Sequence, residues 1–489
     1  MSPADPAHAA PVLRVEGAGF AYRTADGPLP PVLADLHHRV PAGQMHTVLG
    51  PVGAGTSTLC RLVTGLLHDR GETSGTIRVT GPGEGGAGTA VMLGDDPEAQ
   101  LTGMTTRVAD ELQLPARLYG VPAVTARDRA EAAVDRLGIT DLWDRRVTEL
   151  SGGQRQLVAL AALLGLQPDL LVLDQPGLSL DPTMRGRLSA MLRDFCDAGG
   201  AVLVTGHQVD EFATAADQVL ALGPSGLASL PLTADAVRAA GVWDARAASA
   251  PAPGPTPTAG RRGTPLLAVR GLHAARGDRP VLRGADLDVH AGEVVALMGS
   301  NGAGKSTLLR SLLGTLDRRD PVDGTIRAAD GVDLTRLSTH ERSAHLGWVG
   351  QDPGAQLSAP TVRDELMRAA PLPRRPRHVR DEAIREREKQ VQQLMRTAGL
   401  VEAADEHPFD LDAAQRKDVV IAAALLRRPP VLLLDEPTLG RDAASMSRLA
   451  GLIDIQLQRG GGVLATTHDQ RWARAVADRK LHLDSGRIS

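Results

Sequence analysis

Residues 299–307 read GSNGAGKST, and residues 50–58 read GPVGAGTST. The first stretch is a complete phosphate-binding loop. Its glycines let backbone N–H groups close around a polyphosphate, Lys305 can reach the β and γ oxygens, and Ser306 offers a hydroxyl to magnesium. The second keeps the glycine spacing but has Thr56 where the first has Lys305. Each loop follows a β-like segment and opens a helix-like one, TLCRLVTGLL or TLLRSLLGTL, so each lies at a strand-to-helix junction. A glycine loop alone can be a tight turn; the full pattern at such a junction marks a nucleotide site.

The loops belong to a tandem duplication. PVL at 31–33 recurs at 280–282, in step with the two loops. Further on, LLVLDQP at 170–176 meets VLLLDEP at 431–437, and His207 meets His468 at the same offset. A chain of 489 residues is long for one core, so two domains are expected, 1–244 and 266–489. Between them, residues 245–265 read ARAASAPAPGPTPTAGRRGTP, a composition that favours an extended linker. Fully extended, such a linker reaches roughly 60 Å, ample for two domains to face one another.

Composition narrows the functions. Aromatic residues make up 2% and the formal net charge is −4, which gives neither stacking platforms nor a broad basic face for nucleic acid. The arginine-rich run RRPRHVRDEAIRERE at 374–388 has interleaved acids and helical spacing, and reads as a solvated helix face. Cys60 and Cys196 are far apart and lack metal-ligand spacing, which fits a reducing compartment. The longest mostly apolar runs, such as LVALAALLGL at 157–166, fall short of a bilayer span, and MSPADPAHAAPVL has no leader pattern. Work at a membrane would need another chain to supply the span.

The chemistry-bearing residues lie at the ends of apolar runs. VLLLD reads as a buried parallel strand ending in Asp435, suited to hold magnesium, with Glu436 next, suited to polarise an attacking water. Acidic residues also end strands as solvated loop starters, but the phosphate loop upstream favours the catalytic reading. In ELSGGQRQ at 149–156, Ser151, Gly152, Gly153 and Gln154 open an apolar helix, which suits an anion site and equally a simple N-cap. The segments 100–150 and 356–412 have helical patterns, and GPGEGGAG at 81–88 reads as a flexible loop tip.

Phosphate loop, LSGGQ, LDEP and a downstream histidine in TTHD, in that order, resemble the ATPase subunits of ATP-binding cassette transporters. The resemblance implies an α/β fold: two tandem P-loop ATPase domains, each with a RecA-like core, a helical subdomain and a small antiparallel β subdomain. It implies ATP and Mg2+ as cofactors, and a head-to-tail pairing of the two cassettes within the chain. Each ATP would then lie between one phosphate loop and the other cassette's signature. The resemblance makes Glu436, His468 and Gln351 catalytic. It assigns Gly299, Asn301, Gly302, Gly304, Lys305, Ser306 and Thr307 to the nucleotide, and Ser306, Gln351 and Asp435 to the metal. Ser151, Gly152, Gly153 and Gln154 complete that site from the first half. Arg276 stands where the family stacks an aromatic ring on adenine, as Tyr22 does in the first half; a guanidinium can stack there, or be a solvated surface arginine.

Sorted this way, every departure falls on the other site. Thr56 replaces the lysine, Asp95 the glutamine, Gln175 the glutamate, and LDAAQ at 411–415 the signature. Losing the lysine removes a charge-assisted phosphate contact, Asp412 adds a negative charge, and Gln175 cannot take a proton. That site is expected to be hydrolytically silent.

The segments DDPEAQL at 95–101 and QDPGAQL at 351–357 are similar to those of energy-coupling factor importers of vitamins and transition-metal ions. That resemblance implies a transmembrane coupling protein (the T component) and a substrate-capturing membrane protein (the S component) as partners. It places the ATPase on the cytoplasmic face of the cell membrane. The rival readings are the fused ATPase of a sugar importer and a soluble ATPase acting on ribosomes or DNA. The short, nearly uncharged linker and the broken second site speak against the soluble role.

Overall fold

The computed structural model describes residues 11–24, 27–81, 86–96, 100–178, 180–246, 263–277, 279–317, 319–370 and 377–489, with only the backbone for 377–381. Most of the segment read as a linker, 247–262, lies outside them, as do 82–85 of the glycine-rich loop and 374–376 of the arginine-rich run. The chain divides into two compact units, Met1–Asp244 and Ala245–Ser489.

Each unit is built on a mainly parallel sheet. In the first the order is Gly226–Ser229, Gln218–Gly223, Met45–Leu49, Ala201–Gly206, Leu170–Asp174, Ala90–Leu93, with only Gly226–Ser229 antiparallel to its neighbour. The second repeats it from the other end: Leu346–Val349, Val431–Asp435, Gly462–Thr466, Val294–Met298, Arg479–Asp484, Arg487–Ile488. The strands Leu170–Asp174, Met45–Leu49, Val294–Met298 and Val431–Asp435 are buried at every residue, as expected of central strands covered on both faces. Their C-terminal ends carry the phosphate loops, Asp174 and Asp435, so the sheet brings together residues more than a hundred positions apart.

A small antiparallel sheet packs beside each core. Pro11–Thr24 pairs with Leu33–Pro41 and Gly71–Val79, and Pro265–Arg276 pairs with Arg279–His290 and Val322–Ala328. The helices Val108–Leu118, Ala123–Leu137 and Gly152–Leu164 form the first helical subdomain around Val108, Leu112, Ala130, Val134, Leu157 and Leu160. Val362–Ala369, Arg377–Thr397 and Ala413–Leu426 are its counterparts in the second unit. Within the arginine-rich run no residue from 382 to 388 is buried.

A polar pair in the first unit has apolar counterparts in the second. His38 and His46 stand in the first unit where Leu287 and Val295 stand in the second, judged by their matching strand partners. His38 Nε2 lies 2.8 Å from His46 Nδ1, and His46 Nε2 lies 2.8 Å from Gln44 Oε1. Burial lowers both histidines to about 4. The Nε2–H of His38 therefore donates to His46, whose own Nε2–H donates to Gln44.

Candidate functional site

In the second unit the strand Val294–Met298 runs into the glycine loop, where Gly302 and Gly304 have φ of 81° and 108°. These are conformations that side chains rarely adopt, and a Cβ on Gly304 would stand 2.9 Å from Val281 Cγ1. Lys305 begins the helix Lys305–Leu313 and is buried. Its ammonium donates to the carbonyl oxygens of Gly299 at 2.7 Å and Ser300 at 3.3 Å, and lies 3.0 Å from His468 Nε2 and 3.9 Å from Glu436 Oε1. His468 Nε2 is also 3.2 Å from Glu436 Oε1 and 3.1 Å from Asn301 Oδ1, and the His468 backbone N–H donates to Glu436 Oε2 at 3.3 Å. One lysine, one histidine and one glutamate thus meet in a single cluster of contacts.

Glu436 is held from behind. It follows the strand Val431–Asp435 in a left-handed conformation, φ 49°, and its N–H donates to Thr466 Oγ1 at 3.0 Å. The Thr466 hydroxyl in turn donates to Asp435 Oδ1 at 2.7 Å. Burial, reinforced by Asp435, raises the Glu436 carboxyl to about 7 against the opposing pull of Lys305 and Lys417. A carboxylate tuned to neutral pH is matched to taking a proton from water.

Six of the residues singled out in the second half therefore meet: Gly299, Asn301, Lys305, Asp435, Glu436 and His468. Ser306 is exposed beside Lys305, while Thr307 is buried in the helix. Gln351 and Arg276 stand outside this bonded cluster. Gln351 is exposed just past the strand Leu346–Val349, a neighbour of Val431–Asp435, and Arg276 is exposed at the end of the antiparallel strand Pro265–Arg276.

Ser151 caps the helix Gly152–Leu164 in the first unit. Its hydroxyl accepts the Gln154 N–H at 3.3 Å, and the Gln154 side chain accepts the Ser151 N–H at 3.0 Å. Ser151 and Gly152 are exposed. Asp412 makes the same reciprocal cap with Gln415, so its negative charge is aimed first at its own helix N-terminus.

The first unit keeps the backbone of the site and replaces its chemistry. Thr56 is buried, and His207 Nδ1 lies 2.8 Å from the Gly50 carbonyl oxygen. Gln175 has the left-handed φ of 51°, with its N–H donating to the Thr205 carbonyl at 3.0 Å. Thr205 donates to Asp174 Oδ1 at 2.8 Å, as Thr466 does to Asp435. Tyr22 turns its hydroxyl to Thr58 Oγ1 at 3.1 Å and sets its ring edge-on to Phe20.

The paired glutamine motifs have a structural use in both units. Gln100 accepts the Gly94 N–H at 2.9 Å and donates to the Met92 carbonyl at 2.8 Å. Gln356 does the same to Gly350 at 2.7 Å and Trp348 at 3.2 Å. Each side chain clamps the chain where it leaves the sheet, which fixes the stretch holding Asp95 or Gln351.

Sequence reasoning missed a buried charged network in the second unit. Arg441 and Asp418 are fully buried with Nη2 2.7 Å from Oδ1, and Arg448 Nε donates to Asp418 Oδ2 at 3.0 Å. Lys417, also buried, donates to the Glu436 carbonyl at 3.0 Å and the Leu439 carbonyl at 3.5 Å. The first unit has Gln156, Leu157 and Leu180 at the corresponding places. Setting LDAAQRKD beside LSGGQRQL, and LGRD beside LSLD, would have exposed the paired change.

The ABC transporter family profile matches residues 33–177 and 282–439, one block on each unit. The chain belongs to the ABC transporter family. It is an ATP-binding subunit and an ATPase of that family, with two tandem ATPase domains. A Streptomyces coelicolor protein named as an ABC transporter ATP-binding protein, SCO2324, is 34% identical, with 98% of this chain and 93% of that protein covered. A Bacillus subtilis protein named for HMP/thiamine import ATP binding, YkoD, is 30% identical over 97% of this chain and 90% of its own length. Among solved structures, the archaeal ribosome recycling factor aABCE1, crystallised with stalk protein aP1, superposes with a TM-score of 0.61 at 19% identity, over 96% of this chain and 89% of that one. At that identity the likeness is one of fold. Among the described residues no helix is long and apolar enough to cross a membrane.

Proposed function

We propose that this ABC ATPase powers an importer of the energy-coupling factor type, carrying a vitamin or a transition-metal ion, and that only one of its two ATP sites hydrolyses. The observation that carries the one-site reading is the contact of Lys305, His468 and Glu436 in the second unit, set against Thr56 and Gln175 in the first. In this reading Lys305 and Asn301 hold phosphate oxygens, His468 meets the γ-phosphate, and Glu436 takes the proton of the attacking water. Gln351 orients that water.

Magnesium suits the donor set. The Asp435 carboxylate, the Ser306 hydroxyl and the Gln351 carbonyl are hard oxygen ligands of the kind it takes, and the metal would supply charge neutralisation on the phosphates. Ser151, Gly152, Gly153 and Gln154 would close the same nucleotide from the first domain, 1–244, in an intrachain pseudo-dimer with the second, 266–489, across the linker 245–265. Arg276 would lie against the adenine.

The importer assignment rests on the PxxQL segments and on the likeness to a protein named for HMP/thiamine import. It implies a transmembrane coupling protein and a substrate-capture protein as partners, with the ATPase bound at the cytoplasmic face of the membrane. Exposed Met104, Leu118, Tyr119 and Val124 on the first helical subdomain offer apolar surface for such docking. Purifying the tagged chain from detergent-solubilised membranes tests this: two integral membrane proteins should accompany it, and recovery of ribosomes in their place would overturn it. Glu436→Gln should abolish phosphate release in that complex while ATP binding persists; substantial turnover would refute the one-site reading.

A further inference from the structure

The helix Ala413–Leu426 opens within LDAAQ, the stretch least like a working signature, yet it is tied by charge to the turn bearing Glu436. Lys417, on its second turn, is 6% exposed and sends its ammonium to two backbone carbonyls, Glu436 at 3.0 Å and Leu439 at 3.5 Å. Those carbonyls flank the sharp turn in which Glu436 adopts φ 49°. Beside it, Asp418 takes Arg441 of the same turn and Arg448 of the helix Ala443–Gln458. In the first unit, where Gln175 cannot take a proton, the corresponding Gln156 makes a neutral contact, donating to the Pro176 carbonyl at 2.6 Å.

We propose that Lys417 is a positioning residue for ATP hydrolysis: by clamping the carbonyls of Glu436 and Leu439 it fixes the turn that aims the Glu436 carboxylate. The inference rests on the reading of Glu436 as the general base. The physical reason is the cost of misaiming. A non-glycine residue in the left-handed region persists only when its surroundings hold it, and Glu436 is held by Thr466 on its N–H side and by Lys417 on its carbonyl side. Releasing one side lets the carboxylate swing relative to Lys305 and His468. Displacements near 1 Å can cost on the order of a hundredfold in rate. ATP binding should be spared, because Lys417 bonds none of the glycine-loop residues that face phosphate. A helix whose own signature is lost thereby serves the catalytic turn of its own unit.

The test is a graded series in the full-length chain, with kcat, the KM for ATP and the urea midpoint measured for each variant. Lys417→Met keeps length and removes the donors; kcat should fall at least about tenfold with KM within about twofold. Lys417→Gln keeps one neutral donor, as Gln156 does, and should lie between Met and wild type. Wild-type kcat in Lys417→Met overturns the proposal, as does a joint loss of kcat and KM that merely tracks the urea midpoint in both variants. Should Lys417→Met fail to fold, Lys417→Gln decides alone: lowered kcat at unchanged KM supports the proposal, and wild-type kcat overturns it. Glu436→Gln, assayed in parallel, separates the failures. Activity persisting there sinks the base assignment and this inference with it, whereas an inactive Glu436→Gln beside a fully active Lys417→Met sinks the inference alone.

Discussion

His207 Nδ1 lies 2.8 Å from the carbonyl oxygen of Gly50, the place that Lys305 takes against Gly299 in the other unit at 2.7 Å. Where the first unit has Thr56 in place of a lysine, the histidine that follows the neighbouring strand Ala201–Gly206 thus takes the carbonyl contact. The same carbonyl position is met by an imidazole in one unit and by an ammonium in the other.

Restoring the lysine alone should therefore fail. In a Glu436→Gln background, Thr56→Lys leaves Gln175 without a proton-accepting carboxylate and leaves His207 on Gly50, so phosphate release should stay at background. Joining Thr56→Lys, Asp95→Gln and Gln175→Glu with Asp412→Ser, Ala413→Gly and Ala414→Gly should act non-additively. ATPase activity from Thr56→Lys by itself would show that the first loop lacks only a charge.

The signature serine and glycines can be probed without harming their own unit. A Cβ built on Gly152 meets no atom within 4 Å, and its φ is not positive, so Gly152→Asp should fold normally. If Gly152 closes on the nucleotide bound at Lys305, this variant should lose ATPase activity by a hundredfold or so, with an unchanged urea midpoint. Wild-type turnover would sink the shared site.

The buried pair Asp418–Arg441 should behave as a unit. Asp418→Leu or Arg441→Leu alone strands a buried charge and should cost about 3–5 kcal/mol of stability. The double variant recreates Leu157 and Leu180 of the first unit and should recover most of it, since Arg448 is partly exposed and can turn to water. Equal destabilisation in single and double variants, read from urea midpoints, would contradict the pairing.

The pair His38–His46 predicts a pH slope. Both are held near 4 in the folded chain against 6.5 unfolded, so between those values the unfolded chain binds more protons. Their contribution is fully present above pH 6.5 and is lost as pH falls toward 4. The double variant His38→Leu, His46→Val, copying Leu287 and Val295, should flatten the dependence of the urea midpoint over that window. An unchanged slope would place the acid sensitivity elsewhere.

Much of this was legible in the sequence, for physical reasons that differ by element. VLLLD and LLVLD read as buried strands because a strand covered on both faces must be apolar throughout, and the glycine loops because few other residues tolerate that backbone. The Asp418–Arg441 pair was hidden because its members are 23 residues apart and each looks like an ordinary surface charge. Ser151 read equally as anion ligand or N-cap, and the structure shows the cap, since a hydroxyl at a helix start bonds its own backbone whether or not a ligand is near. Asp412, read as a charge facing phosphate, spends its oxygen first on Gln415.

Gln175 and Glu436 share one contorted backbone, φ 51° and 49°, but only the glutamate carries a carboxylate there. The left-handed region costs a non-glycine residue about 1–2 kcal/mol. If Glu436 is the base, that tension in the second unit serves to aim it, whereas in the first the same bend carries no carboxylate. Gln175 is therefore a place to seek a more heat-resistant protein. Gln175→Gly should relax the bend and raise the melting temperature or leave it level, with turnover intact, while the same exchange at Glu436 would trade the whole activity for comfort.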